Sequence, residues 1–255
     1  MPLLSLILSD YNMQLSNNKI LITGGASGIG RGLAERFVQE GNTVIICGRR
    51  DSALQEVATG SPSIITRQCD LSRKKERDAL YYWISTEHSD LNVVVNNAGI
   101  QNWMNITDGD FFQRAQQEIA INIEALIHMT SIFSQLESLN TILNVSSGLS
   151  FVPLVKVPVY SATKAFVHSF TLSAREQLKP KGIEVIEVIP PALNTDLGGK
   201  WLHDQAPPVS EFIDAVFAQL KEGKQELTFG FSETTSSAGQ EILRGIFNKM
   251  NQVGA

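Results

Sequence analysis

Cys47 and Cys69 are the only cysteines among 255 residues, and each stands near the end of an apolar run. No C-x-x-C pair and no Cys/His cluster accompanies them. That excludes a disulfide framework and a structural zinc, and reduced thiols in a cytoplasmic protein are the simple reading. His88, His128, His168 and His203 share no metal-binding spacing and read as structural or surface groups, so no metal is expected. Long apolar runs are also missing: none approaches about twenty residues, the length needed to span a bilayer as a helix. Charge of one sign is scarce as well. Lys and Arg number 21 against 26 Asp and Glu, a net −5, which gives no broad attraction to nucleic acid or anionic lipid. The expected partner is a small molecule.

Repeats, low-complexity tracts and linkers are absent too, so residues 13–255 are expected to form one domain. The opening "MPLLSLILSDYN" is too short to cross a membrane and lacks the basic region and cleavage site of a leader. Met13 precedes "QLSNNKILITGG", and residues 1–12 are expected to be a loosely held, flexible extension or the product of an alternative start.

What is present is alternation. The strand-like runs "KILIT", "TVIICG", "SIITRQC", "NVVVN", "TILNV", "IEVIEVI" and "ELTFG" are separated by helical patterns. These include "GIGRGLAERFVQEG", "DSALQEVAT", "SRKKERDALYYWISTEH", one long helix over roughly 110–135, "VYSATKAFVHSFTLSAREQLKP" and a helix near 210–221. Strands rich in Val, Ile and Leu that alternate with helices predict βαβ units and a parallel sheet buried on both faces. The fold class is therefore α/β: a single Rossmann-type doubly wound sheet in a three-layer α/β/α sandwich.

"LITGGASGIGRGL" sets Gly24, Gly28 and Gly30 between the first strand and the first helix. Glycines there permit a tight turn and a close backbone approach to a pyrophosphate, and the helix start adds free N–H groups and a positive dipole end. The spacing G-x-x-x-G-x-G differs from G-x-G-x-x-G, and a purely structural turn is the alternative; the strand–turn–helix setting favours a nucleotide. At the tip of the second strand, "IICGRRDS", Gly48 stands where a carboxylate would accept a ribose hydroxyl. Arg49 and Arg50 follow. Guanidinium suits a 2′-phosphate, so NADP is preferred over NAD, with Arg49 the first candidate; a solvated pair at a helix start is the alternative.

Together with "NNAG" at 96–99 and Y-x-x-x-K at 160–164, these features resemble the short-chain dehydrogenase/reductase family, with motifs in the family's order from about Lys19 to Thr195. The resemblance implies cofactor contacts from Gly24, Ser27, Gly28, Ile29 and Gly30 of the glycine turn and from Asp70 and Leu71 at the adenine end. It adds Asn97, Ala98 and Gly99 after the fourth strand, and Pro190 and Thr195 in "IPPALNT", where Pro191 replaces the family's glycine. It assigns a catalytic tetrad to Asn122 of "IAINIEA", Ser147 of "NVSSGLS", Tyr160 and Lys164, the last two also touching cofactor. Within the family, "VIICGRR", "QCDL" and "VIEVIPPALNTDL" are most similar to oxidoreductases associated with D-alanylation of lipoteichoic acid. A homodimer or homotetramer is implied as in many relatives; Phe166, Phe170 and Leu178 suit either a subunit contact or the core.

The chemistry follows from residue types. A free phenol has a pKa of about 10, and an ammonium four residues along a helix stabilises phenolate and lowers it. Tyr160 is then the general acid/base for a carbonyl or alcohol, Ser147 orients the oxygen, and Lys164 tunes Tyr160. Asn122 is expected to seat a water leading from Lys164 to solvent. Leu149, Phe151, Val152, Leu154 and Trp201 are candidates for an apolar substrate pocket, or for loop packing. Gly198 and Gly199 suit a lid hinge, while Lys156 reads as a solvated side chain. The implied activity is NADP(H)-dependent oxidoreduction of a small, relatively apolar carbonyl or secondary alcohol. A dinucleotide-binding regulator without turnover and an oxoacyl-carrier reductase are the alternatives.

Overall fold

The computed structural model describes residues 13–252, so the expectation for residues 1–12 lies outside the described residues. From the first strand the chain runs β1 (Lys19–Thr23), α1 (Gly28–Gln39), β2 (Thr43–Gly48), α2 (Asp51–Ala58), β3 (Ile64–Gln68), α3 (Lys74–Glu87) and β4 (Val93–Asn96). It continues α4 (Phe111–Ile119), a π-helical turn (Ala120–Ala125), α5 (Leu126–Phe133), β5 (Thr141–Val145), α6 (Pro158–Leu178) and β6 (Glu184–Ile189). α7 (Val209–Lys221), β7 (Glu226–Thr228), α8 (Phe231–Ser237) and α9 (Gln240–Met250) complete it.

Among the described residues the seven strands are all parallel and ordered β3-β2-β1-β4-β5-β6-β7. The order reverses beside β1, and such a switch point opens a crevice at the carboxyl ends of the strands. Strand side chains alternate between two cores. Ile20, Ile22, Val44 and Ile46 pack with Leu33 and Phe37 of α1 and Phe212 and Phe217 of α7. Leu21, Ile45 and Val94 face the opposite side, against Leu80 and Ile84 of α3 and Met129 and Phe133 of α5. Three layers result, as the unbroken apolar strands predict. Phe170 and Leu178 pack against that second core, whereas Phe166 is 37% exposed and stacks on Phe170 with centroids 6.0 Å apart.

One row interrupts the apolar interior. Asn96, Asn144 and Glu187 share a register across β4, β5 and β6. Asn96 Nδ2 donates to Asn144 Oδ1 (2.9 Å) and to Thr130 of α5 (3.2 Å), and Asn144 Nδ2 donates to Thr171 of α6 (3.0 Å). Buried polar groups persist only when paired in this way.

Two expectations are corrected. The single helix over 110–135 is α4 and α5 joined by a π-helical turn, where one extra residue widens the helix around Asn122. The chain also continues past β7 into α8 and α9, which sequence patterning did not register; α9 has no buried residue.

Candidate functional site

At the carboxyl ends of the strands lies a cleft of about 1840 Å³. Every catalytic or cofactor residue expected from the sequence lines it except Gly30, Asp70 and Asn122. Its floor is organised by Thr23, the last residue of β1. The Thr23 hydroxyl accepts the N–H groups of Asn97 and Ala98 (both 3.0 Å) and donates to the Val95 carbonyl (3.2 Å). Asn97 Nδ2 returns to the Thr23 carbonyl at 2.9 Å. The β1 and β4 loops are thereby locked together.

Gly24 and Gly28 adopt φ of +68° and +53°, backbone that L side chains rarely enter. Gly30 is required for a different reason: a Cβ there would lie 2.4 Å from the Gly24 carbonyl oxygen and 2.5 Å from Asn97 Nδ2. It is a packing glycine behind the turn. Ser27 takes the N-cap position of α1 in extended geometry with no side-chain cap bond, so the helix start faces the cleft with its first N–H groups uncapped. These features fit a dinucleotide: a cradle that a Cβ would fill, a helix N-terminus, and the exposed guanidinium of Arg49 at the tip of β2. Asp70 lies beside the cleft rather than on its wall. Its carboxylate is occupied by the Ser72 N–H (3.0 Å) and hydroxyl (2.7 Å) and by Arg73 (3.5 Å).

The remaining named residues meet at the other end. Tyr160 and Lys164 are buried one turn apart on α6, which starts at Pro158 in its first turn. Ser147 stands two residues past the end of β5 and its Oγ accepts the Leu149 N–H (3.1 Å), capping the short helical turn Gly148–Ser150. Lys164 Nζ donates to the Val145 carbonyl at 2.8 Å. Asn122 sits one layer behind. Its amide holds both the N–H and the carbonyl of Ile100 (2.9 Å each) and donates to Thr163 Oγ1 (3.0 Å). Gly99 lies between the two heads: a Cβ there would sit 3.5 Å from both Asn122 Oδ1 and Lys164 Nζ, ordinary contact distances.

The electrostatics depart from the expectation that Lys164 governs the phenol. Burial dominates and pushes the Tyr160 phenol above its ordinary value; contact with the Ser147 hydroxyl pulls it back, and the charge of Glu118 pushes it further up. Burial likewise lowers the Lys164 ammonium to about 8, opposed by Glu187. Spacing gives proximity but not burial, and here burial decides. Glu118, one helical turn before Asn122, escaped the sequence reading. It is fully buried, its Oε1 accepts the N–H (2.5 Å) and Nδ2 (3.1 Å) of Asn102, and its Oε2 has no partner. Burial raises its carboxyl to about 7, against those bonds.

Of the residues expected at the substrate, Leu149 and Leu154 line the cleft, but Phe151, Val152 and Trp201 do not. Phe151 packs edge-on against His168 (4.7 Å), Val152 is buried, and Trp201 projects from the surface with φ +70° and 80% exposure. Lys156 is exposed, with Nζ 5.7 Å from the Trp103 ring centroid. Phe231 and Met250 close the wall, from helices that sequence patterning missed. Asn251 secures them: its Oδ1 accepts the Val155 N–H (2.8 Å) and its Nδ2 donates to the Pro153 carbonyl (3.0 Å). Gly198 and Gly199, at φ +80° and +145°, turn the opposite wall. Despite Pro191, the Pro190 carbonyl still accepts the Gly148 N–H at 2.9 Å.

Fold and cleft thus define a class, and the chain belongs to the short chain dehydrogenase family, whose model matches residues 18–206. It is an oxidoreductase-family protein. Its relatives include the uncharacterized oxidoreductase DltE of Bacillus subtilis, 41% identical over 251 residues that cover 94% of this chain and 98% of DltE. A more distant one is the NADP-dependent 3-hydroxy acid dehydrogenase YdfG of Escherichia coli, 29% identical and covering 67% of this chain and 71% of YdfG. Among solved structures, a short chain dehydrogenase from Burkholderia cenocepacia in complex with NADP superposes with a TM-score of 0.81 at 26% identity, covering 92% and 99% of the two chains. Among the described residues no helix is long and apolar enough to cross a membrane, and no group of three or more potential metal ligands occurs.

Proposed function

We propose that residues 13–255 form one NADP(H)-dependent oxidoreductase domain acting on a carbonyl or secondary alcohol of a small, relatively apolar substrate, with Tyr160 as general acid/base. One observation carries this reading: Tyr160, Ser147 and Lys164 line the same cleft as the glycine turn, with Asn122 directly behind them. Gly24, Ser27, Gly28 and Ile29 are the residues to hold the pyrophosphate, and Arg49 the 2′-phosphate, since Gly48 leaves no carboxylate to compete for a ribose hydroxyl. NADP in the Burkholderia neighbour and in the name of YdfG supports that preference.

The nicotinamide, when bound, supplies or accepts the hydride. The protein handles the proton. A buried phenol whose pKa is raised is fully protonated at neutral pH, which suits it to donate to the oxygen of a carbonyl being reduced. The Ser147 hydroxyl is the second donor to that oxygen and shares its developing charge. With a pKa of about 8, Lys164 is mostly ammonium at pH 7 and stabilises the phenolate left after transfer. Asn122 holds the Ile100 backbone and so the loop that carries Gln101 and Trp103 into the cleft. Leu149, Leu154, Leu202, Phe231 and Met250 offer the substrate apolar surface.

The test is NADPH and NADH consumption against a broad panel of aldehydes, ketones and secondary alcohols, with Tyr160→Phe as control. We expect NADPH-linked turnover that falls at least about 100-fold in Tyr160→Phe while NADPH still binds. Undiminished turnover in that variant removes Tyr160 from the mechanism.

A further inference from the structure

A buried carboxylate lies under the cleft and takes no part in the reaction proposed above. Glu187 is fully buried on β6, in register with Asn144 of β5 and Glu226 of β7. Both of its oxygens are engaged: Oε1 accepts the Ser146 hydroxyl, and Oε2 lies 2.8 Å from His168 Nδ1. Neither partner is remote from the chemistry. Ser146 immediately precedes Ser147 and donates its own N–H to the Val188 carbonyl at 2.9 Å. His168 stands four residues after Lys164 on α6, hence on the same helix face.

An isolated carboxylate in such a place costs several kcal/mol and needs a cation nearby. The imidazole of His168 is one, and Glu187 holds it above its ordinary pKa. Lys164 is the other buried cation on that face. Its one hydrogen bond is to a neutral carbonyl, and among the described residues it forms no ion pair at contact distance.

We infer that Glu187, oriented by Ser146 and His168, is the counter-charge of Lys164 and thus a positioning residue for the Tyr160–Lys164 pair. The inference rests on the role proposed above for Lys164. Glu187 is also the group that opposes the burial-driven fall in the Lys164 pKa. The other charged groups around the pair are Arg175 of α6, which donates to the Val185 carbonyl and lies 3.6 Å from Glu226 of β7, and Glu118 of α4 across the phenol. Arg175 and Glu226 offset one another, and Glu118 is partly protonated near neutral pH, which leaves Glu187, already paired with His168, as the carboxylate placed to balance Lys164 on this side.

The measurement is an NMR titration of ¹³C-lysine-labelled full-length protein, with the Lys164 Cε resonance identified by its loss in Lys164→Met. In Glu187→Gln the Lys164 midpoint should fall by about one unit, a tenfold loss of ammonium at a given pH above it. An unmoved midpoint in folded Glu187→Gln overturns the inference. Should that variant fail to fold, His168→Gln decides. Its side chain is partly exposed, and without the imidazole Lys164 becomes the principal cation facing Glu187, so the midpoint should rise. No movement there overturns the inference equally. For any substrate turned over, the limb of the pH profile set by Lys164 should shift with the NMR midpoint in each variant. The titration needs no turnover, so a wild-type protein inactive against the whole panel removes the proposed reaction while the counter-charge is still judged by the midpoints.

Discussion

The ammonium nitrogen of Lys164 lies 2.8 Å from the carbonyl oxygen of Val145, the last residue of β5 and two positions before Ser147. This bond fastens the face of α6 that bears Tyr160 and Lys164 to the strand end that presents the serine. The two hydroxyls of the site are thus positioned by one lysine as well as by the helix and the strand.

Lys164→Met should therefore harm more than charge. NADPH-linked reduction at pH 7 is expected to fall at least about 100-fold, with weaker NADPH binding as Tyr160 and Ser147 lose their common anchor. Steady-state kinetics and fluorescence titration of NADPH check this. Retention of both would show that the Val145 bond positions nothing of consequence.

Arg49→Asp tests the cofactor phosphate. A charged hydrogen bond contributes roughly 1.5–3 kcal/mol, so kcat/KM for NADPH should drop about tenfold to 100-fold. The value for NADH should change little or improve, since an aspartate can accept a ribose hydroxyl. Equal losses with both cofactors would remove Arg49 from the phosphate site.

Gly30→Ala places a methyl group 2.4 Å from the Gly24 carbonyl oxygen, and the obstacle is backbone. A stability loss of about 1–3 kcal/mol is expected, together with impaired nucleotide binding, in urea unfolding and ligand titration. Gly109 has nothing within 4 Å of the equivalent position, so Gly109→Ala should leave both unchanged.

Glu118 links stability to pH. Its carboxyl is raised from 4.5 to about 7, so the native state holds a proton that the unfolded chain releases earlier. The stabilisation is complete below pH 4.5 and is lost as pH rises through 7. Glu118→Gln has no proton to lose. Between pH 5.5 and 8 wild type should lose about 2 kcal/mol more than the variant, read from urea unfolding at the two values. Parallel losses would show that Glu118 stays ionised in the native state.

What the sequence made legible is what a single segment can encode. The glycine turn is one strand–turn–helix, and Tyr160 and Lys164 share one helix face four residues apart. The seven strands were legible because each is a short apolar run. Glu118 was not, because its partner Asn102 belongs to another segment and its burial depends on the packing of α4 on α6. Glu187 hid inside the strand "EVIEVI", and its partners come from the end of β5 and from α6. α9 carries Ile242, Leu243, Ile246, Phe247 and Met250 at helical spacing, a pattern that passed unregistered, but it buries no residue, and its tie to the cleft runs through Asn251 to Pro153 and Val155, nearly a hundred residues earlier. The raised phenol reverses the expected sign because desolvation is a property of the assembled core.

The Asn251 latch also sets an order of completion during synthesis. Parallel strands β1 to β6 and the Tyr160 helix are all made before residue 190, so a nascent chain can assemble the nucleotide end of the cleft early. Phe231 and Met250 come after all seven strands, and the latch follows directly after Met250. While that stretch is still inside the ribosome, the substrate side stays open to water. The protein therefore acquires its nucleotide end before it acquires the wall formed by Phe231 and Met250.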